Sequence, residues 1–291
     1  MHPVKTEKLI ICVLGAGGNL GRMILGNSNL QEHEVLRIGW KQGEDTEFFI
    51  DQKGSLRSRF DRLPDVIVNT SNYYVPSPTE LEKRVMKTSI LGVAETLGNW
   101  IKEHRTPVIT FSTYFQFCPI NLRPWSLYAH FKQTARDLVI SNAQEVGSNL
   151  TDFILFDNYG GLPRGKFIDL ALSAATSGEP IKASGGRQLL NLTHIADITN
   201  ALSNAILNSA RSNSSEIRTF QLKSRETLSL REIVKKIDEV SRSRVNVLWG
   251  CIPYREREVF EMWDAEYEVP DYFQQNYCFS SYLEELFQGI C

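Results

Sequence analysis

The chain lacks the marks of several large protein classes. Its five cysteines, Cys12, Cys118, Cys251, Cys278 and Cys291, are odd in number and scattered, with no C-x-x-C spacing. That argues against a disulfide framework or a cysteine zinc site and fits a reducing compartment. Thirty-two lysines and arginines against 34 aspartates and glutamates leave a net charge of -2, without the strong basic excess expected of a nucleic-acid binder. The apolar run at residues 9–14 is far too short to span a bilayer and no cleavage signal follows it, so it reads as a buried strand. No membrane association, no metal and a cytoplasmic location are expected. Internal repeats and low-complexity tracts are also missing. At 291 residues, 42% apolar and 23% charged, the chain has an ordinary globular composition and length for one large domain or a main domain with a smaller partner.

What is present is alternation. Residues 9–14, 34–40, 47–51, 65–69, 107–112 and 151–156 read as short strands, and helical periods at 20–27, 80–104 and 128–146 separate them. Strands regularly divided by helices imply parallel pairing through right-handed crossovers. After Asn158 the rhythm loosens. A glycine-rich loop at 160–165 precedes a helix at 167–177, a strand at 181–183 and a helix at 197–209. The polar run 209–216 reads as an exposed loop. Ser229 and Glu232 have the spacing of a capping box, which predicts a helix from there to Ser241. Residues 253–291 are aromatic and charged, with few clean periods.

Gly15-Ala16-Gly17-Gly18-Asn19-Leu20-Gly21 joins the first strand to the first helix, with Arg22 just beyond. A tight turn and close backbone approach to a pyrophosphate both need residues without side chains. The following helix start offers unpaired N–H groups to phosphate oxygens. This context predicts a nicotinamide dinucleotide on an α/β, Rossmann-type doubly wound parallel sheet. An acidic residue ending the second strand would favour NAD, but Gly39 stands there, with Lys41 two residues on. Lys41 and Arg22 are candidate partners for a 2′-phosphate. The reading tilts to NADP(H), with NAD(H) the alternative.

Tyr128 and Lys132 lie four apart on a predicted helix, hence on one face. A free tyrosine titrates near ~10, and a neighbouring ammonium would lower that value and suit the phenol to proton exchange. Behind a dinucleotide loop, such a pair can protonate a carbonyl oxygen as hydride reaches the carbon.

Together these features resemble the extended short-chain dehydrogenase/reductase family of nucleotide-sugar epimerases, dehydratases and ketoreductases. Further segments carry the resemblance in order: Pro64 to Asn69 as the fourth strand, Ile109 to Thr113 as the fifth, and Asn158-Tyr159-Gly160 as a turn after the sixth. Gly178-Glu179-Pro180-Ile181 and Leu192 to Ile198 follow. The resemblance implies Thr113, Tyr128 and Lys132 as catalytic residues. Thr113 would hydrogen-bond the substrate oxygen, Tyr128 act as acid and base, and Lys132 hold the nicotinamide ribose and depress the tyrosine pKa. Asn69 would pass beside the cofactor and Asp51 lie near the adenine. The implied organisation is a dinucleotide-binding domain over residues 1–157, with 188–222 returning to it, and a smaller C-terminal substrate-binding domain from 158–187 and 223–291.

Within the family, sugar 4,6-dehydratases follow the catalytic threonine with an Asp-Glu pair, whereas Thr113 is followed by Tyr114-Phe115. Arg123-Pro124 and the fifteen-residue step from Thr113 to Tyr128 resemble the CDP-abequose synthase type of 4-keto-sugar reductase. The expected activity is reduction of a nucleotide-linked 4-keto-6-deoxy sugar. The alternatives are an epimerase with retained NAD and a non-catalytic dinucleotide-binding regulator. For a nucleotide-diphosphate sugar substrate, Asn158 and Lys166 match family positions, and Arg255 or Arg257 would supply a second cation, with Arg187 a further candidate. Leu190-Asn191 departs from the family's Arg-Asp at that point. The resemblance also implies a homodimer through the helices at 80–104 and 128–146.

Overall fold

The computed structural model describes residues 8–39, 48–50, 56–58, 63–75, 77–119, 126–163, 165–212, 214–242, 245–255 and 257–288. Its first strands are β1 (Ile10–Leu14), β2 (Glu34–Gly39), β3 (Phe48–Ile50), β4 (Leu56–Ser58), β5 (Val66–Asn69), β6 (Val108–Thr113) and β7 (Leu150–Leu155). The later ones are β8 (Asp157–Tyr159), β9 (Ile181–Ala183), β10 (Leu189–His194), β11 (Ile217–Leu222), β12 (Thr227–Ser229) and β13 (Val247–Trp249). The helices are α1 (Asn19–Leu25), α2 (Glu80–Lys87), α3 (Val93–His104), α4 (Leu127–Val146), α5 (Phe167–Ser177), α6 (Ile195–Arg211), α7 (Leu230–Ser241) and α8 (Phe279–Gln288). The chain divides into two compact units, residues 1–154 with 199–221, and residues 155–198 with 222–291.

The first unit is built on an eight-stranded sheet in the order β11-β7-β6-β5-β1-β2-β3-β4. All five residues of β1 are buried, as a strand covered on both faces requires. β1 pairs in parallel with β2 on one side and β5 on the other. The β2–β3 and β5–β6 pairs are also parallel, and only β4 among the paired strands described here returns antiparallel, to β3. This is the doubly wound arrangement expected, and β1 is where the winding reverses. One helical face is filled by Val93, Leu97 and Ile101 of α3 and Val139 and Ala143 of α4, packed on Cys12, Leu14 and Ile67.

Residues 80–104 do not form one uninterrupted α-helix. A π turn at Thr88–Gly92 joins α2 to α3; its wider hydrogen-bonding step leaves the path continuous, which is why the sequence period reads straight through. The helix begins at a capping box between Thr79 and Glu82.

In the second unit, β10 pairs in parallel with β8 and antiparallel with β12, and β13 pairs in parallel with β9. Three expectations change here. Residues 155–157, 188–198 and 222 belong to this unit and not to the dinucleotide-binding one, and β10 finds both its partners in it. Asn158 and Tyr159 lie in β8, and the turn comes after them, at Gly160 and Gly161 with φ of 78° and 74°. The helix expected to end at Ser209 continues to Arg211. The aromatic C-terminal stretch contains α8, whose Phe279 and Leu283 are buried among Ile168, Ile233 and Ile237 of α5 and α7. His194 is structural, as its strand-end position suggests: its Nδ1 accepts from the Ala196 N–H at 3.3 Å, and burial pulls it down to about 4.

Helix α7 starts at the Ser229–Glu232 capping box read from the sequence. The Ser229 hydroxyl accepts from the Glu232 N–H at 3.2 Å, and Glu232 Oε2 accepts from the Ser229 N–H at 2.7 Å. Ser229→Ala is expected to lower stability by about 1 kcal/mol in urea unfolding. A loss below measurement error would mean that packing of α7 alone sets its start.

Candidate active site

The loop after β1 is held from both sides. The N–H groups of Gly15 and Ala16 donate to the Ile38 carbonyl of β2 at 2.9 and 3.2 Å. From the β5 side, the Thr70 hydroxyl donates to the Leu14 carbonyl at 2.7 Å. Gly15 has φ of 76°, and a Cβ there would lie 2.6 Å from the Ser71 backbone nitrogen. A Cβ on Gly21 would meet the Gly15 carbonyl oxygen at 2.5 Å, so the first helical turn rests directly on the loop. Gly17 differs: a Cβ there would meet nothing within 4 Å. Gly15 and Gly21 are therefore glycines for packing, and Gly17 leaves an open stretch of backbone. Gly18 is the N-cap of α1, which begins at Asn19 and Leu20. The exposed Arg22 turns back, its Nε donating to the Gly17 carbonyl at 2.9 Å. An open glycine backbone at a switch strand fits a dinucleotide pyrophosphate. Lys41 and Asp51 lie outside the described residues, as does Arg123-Pro124.

β5 ends in Asn69, whose Oδ1 accepts from the Ser71 hydroxyl at 2.6 Å and the Ser71 N–H at 3.2 Å. This turn directs residues 70–75 across the end of the sheet. There Asn72 donates from Nδ2 to the Tyr128 hydroxyl at 2.9 Å, and Tyr74 packs edge-on to the Tyr128 ring at 4.8 Å. Neither Asn72 nor Tyr74 was expected from the sequence. The only signal available was their position just past the carboxyl end of a central strand, where ligands of such sheets bind.

Thr113 ends β6 and is buried, and its N–H donates to Gln116 Oε1 at 2.8 Å. Gln116 then donates from Nε2 to Gln133 Oε1 at 3.2 Å, tying the turn after Thr113 to the residue following Lys132. Lys132 donates from Nζ to the Phe111 carbonyl of β6. It lines one small cavity together with Asn69, Ser71 and Ser112. Asn69 and Lys132 are thus brought together, with Tyr128 one turn back on the same helix.

The expected pKa relation between Tyr128 and Lys132 is not what the structure shows. Burial pushes the Tyr128 phenol well above its ordinary value, the Asn72 hydrogen bond opposes this, and Tyr74 adds to it. Lys132 Nζ donates to the Phe111 carbonyl of β6, and burial outweighs any lowering of the phenol. Lys132 is itself pulled down to about 8 by burial, with Asp152 acting in the other direction. Both groups move towards their neutral forms, as desolvation dictates.

The remaining expected residues lie in the second unit. Asn158 is in β8 and half-buried. Lys166, exposed, is the N-cap of α5, and its N–H donates to Asp169 Oδ2 at 3.1 Å. Arg187 is exposed, and its N–H donates to the Tyr254 hydroxyl at 3.2 Å. Arg257 is also exposed. Arg231 stacks over the Trp249 ring at 4.7 Å and donates from Nε to the Gly185 carbonyl at 2.7 Å, a cation that spacing did not reveal. Among the described residues no cluster of histidine, cysteine, aspartate or glutamate could hold a metal. No described helix is long and apolar enough to cross a membrane.

A doubly wound sheet with a glycine turn at its switch strand and a Tyr-x-x-x-Lys helix beside it defines a protein of the extended short-chain dehydrogenase/reductase kind. Residues 11–219 match the NAD dependent epimerase/dehydratase family, and the chain belongs to that family. Among solved structures it is similar to the UDP-glucuronic acid 4-epimerase of Bacillus cereus in complex with UDP-glucuronic acid and NAD. That likeness has a TM-score of 0.78 and 15% identity, over 97% of this chain and 100% of the other. It is also similar to the dTDP-glucose 4,6-dehydratase of Bacillus anthracis in complex with NAD, with a TM-score of 0.72 and 15% identity over 96% of each chain. At that identity the likeness is one of fold. A curated relative, the CDP-abequose synthase of Yersinia pseudotuberculosis, is 29% identical over 150 residues, which is 51% of this chain. The match spans about half the relative's length, 48%.

The glycines separate by role. Gly15→Ala is expected to cost at least about 2 kcal/mol in urea unfolding, from the left-handed backbone and the collision with Ser71. Gly17→Ala is expected to stay within ~0.5 kcal/mol of the parent yet weaken dinucleotide binding followed by fluorescence. Equal stability losses in both variants would contradict this assignment.

Proposed function

We propose that the chain reduces a nucleotide-linked 4-keto-6-deoxy sugar with NADP(H). The observation that carries this reading is the half-buried Tyr128, whose phenol desolvation keeps protonated while Asn72 donates a hydrogen bond to its oxygen. A reductase needs a proton donor at this point, whereas oxidation of a sugar hydroxyl needs a tyrosinate. The similarity to CDP-abequose synthase supports the same direction. So does the pair after Thr113: Tyr114, buried, and Phe115 leave no carboxylate there for water elimination.

In this reading NADP(H) supplies the hydride when bound. Gly15 and Gly21 shape the loop, the backbone of Gly17, Gly18, Asn19 and Leu20 meets the pyrophosphate, Arg22 meets the adenosine phosphate, and Asn69 and Lys132 face the nicotinamide side. Thr113 donates a hydrogen bond to the substrate carbonyl oxygen and polarises it. Tyr128 delivers its proton to that oxygen as negative charge develops there. The Asn72 N–H then stabilises the phenolate left behind. Lys132, charged below about 8, adds a positive charge one helical turn away. Arg187 and Arg257 bind the nucleotide diphosphate, since guanidinium forks match phosphate oxygens, with the Lys166 ammonium as a further cation and Asn158 as a hydrogen-bonding partner. A homodimer through α2, α3 and α4 belongs to the same reading, supported by Leu81 and Val85, four apart and exposed on α2.

NADPH oxidation with CDP-, dTDP- and GDP-linked 4-keto-6-deoxyhexoses tests the activity. At least one is expected to be reduced, with kcat in Tyr128→Phe lower by roughly 10²–10⁴-fold. The rate should fall on the alkaline side as Lys132 loses its proton near about 8. Parent and Tyr128→Phe equally inactive on all three sugars would sink the reductase reading. Tightly bound NAD that is never consumed would replace it with an epimerase.

A further inference from the structure

Behind the Thr113 and Lys132 end of the site lies a charged group that the mechanism above does not use. Asp152 of β7 has 0% exposure. Its Oδ2 accepts from the Ser112 hydroxyl of β6 at 2.8 Å and from Arg136 Nε of α4 at 2.8 Å. Arg136 reaches on to β11, donating from NH2 to the Thr219 hydroxyl at 2.9 Å, and lies over the Phe117 ring at 5.6 Å. Ser112 is the neighbour of Thr113, and Arg136 stands one turn beyond Lys132 on the same helix face. One buried carboxylate therefore joins the strand that ends in Thr113 to the helix that carries Lys132.

A buried carboxylate is costly unless it is paired. A neutral side chain of similar size at Asp152 would tie β6 to β7 as well, so structure alone does not call for a charge here. The surroundings of Lys132 give the charge a use. The π turn and α3 present Ile90 and Ala94 to it, and β6 presents Ser112 and the Phe111 carbonyl. Its own helix offers Tyr128 and Arg136, neither of them an anion at neutral pH. Asp152 from β7 is the negative charge that acts on Lys132.

We propose that Asp152 is a positioning residue for the catalytic pair: it anchors the Thr113 strand through Ser112, holds α4 through Arg136, and serves as the counter-charge of the Lys132 ammonium. The inference rests on the reading of Lys132 and Thr113 as catalytic residues, but its first test does not depend on turnover.

The pH dependence of Lys132 acetylation by trace acetic anhydride, read by peptide mass spectrometry, follows the charge of that lysine in the whole unliganded protein. In Asp152→Asn the midpoint is expected to fall by roughly one pH unit, the sign required when an opposite charge is removed from beside an ammonium. Asp152→Glu should restore it. If the single variant does not fold, Asp152→Asn/Arg136→Gln is compared with Arg136→Gln, which lacks the same cation, and its midpoint should lie about one pH unit lower. An unchanged midpoint in the neutral variants, or an equal fall in Asp152→Glu, overturns the proposal. With a keto-sugar that is turned over, the alkaline limb of kcat/KM should move with the midpoint. A protein that reduces no sugar but shows the labelling shift loses the reductase reading and keeps this one.

Discussion

The first unit's site hangs on the backbone at Gly15. β1 has β2 on one side and β5 on the other, and the chains leaving those strands diverge at its end. Gly15 fills the crevice so opened. Its N–H is fixed to Ile38 of β2, its carbonyl accepts from the Thr70 hydroxyl at 3.2 Å, and the room for its missing side chain is taken by Ser71. The same contact places the turn of Asn69 and Ser71 and sends residues 70–75 towards Tyr128. A side chain at Gly15 would disturb the dinucleotide loop and the partners of the tyrosine together.

Much of this was legible in the sequence. The loop, its flanking strand and helix, and the Tyr128/Lys132 spacing are local patterns, fixed by the steric freedom of glycine and the pitch of a helix. The Ser229 capping box is local too. The contacts that tune the site are not. Asn72 reaches Tyr128 across 56 residues of chain and Ser112 reaches Asp152 across 40. No periodicity records such a meeting. β8, β12 and β13 are only three residues each, too short for an alternation to show. The allocation of residues 188–198 likewise depended on strand pairing, which the sequence of β10 alone does not state.

The pKa of Tyr128 shows the limit of spacing most clearly. Four residues on a helix put two side chains on one face, and proximity of an ammonium lowers a phenol when the charge is directed at it. Here Lys132 donates to the Phe111 carbonyl, and the loss of water around both groups outweighs the attraction between them. Desolvation penalises charge of either sign, so the phenol rises and the amine falls.

These two shifts are alike in origin but unequal in their answer. Lys132 has an anion behind it in Asp152, which pulls it back towards the charged form. Tyr128 has only the neutral Asn72 amide, while Tyr74 opposes ionisation. At neutral pH the pair therefore rests as phenol and ammonium, a proton donor beside a positive charge. That resting state matches what a developing alkoxide requires. The reverse reaction would begin from tyrosinate, and the desolvation that raises the phenol makes that state the costly one. On the proposed reading, the direction of chemistry follows from where water is excluded and from where Asp152 stands.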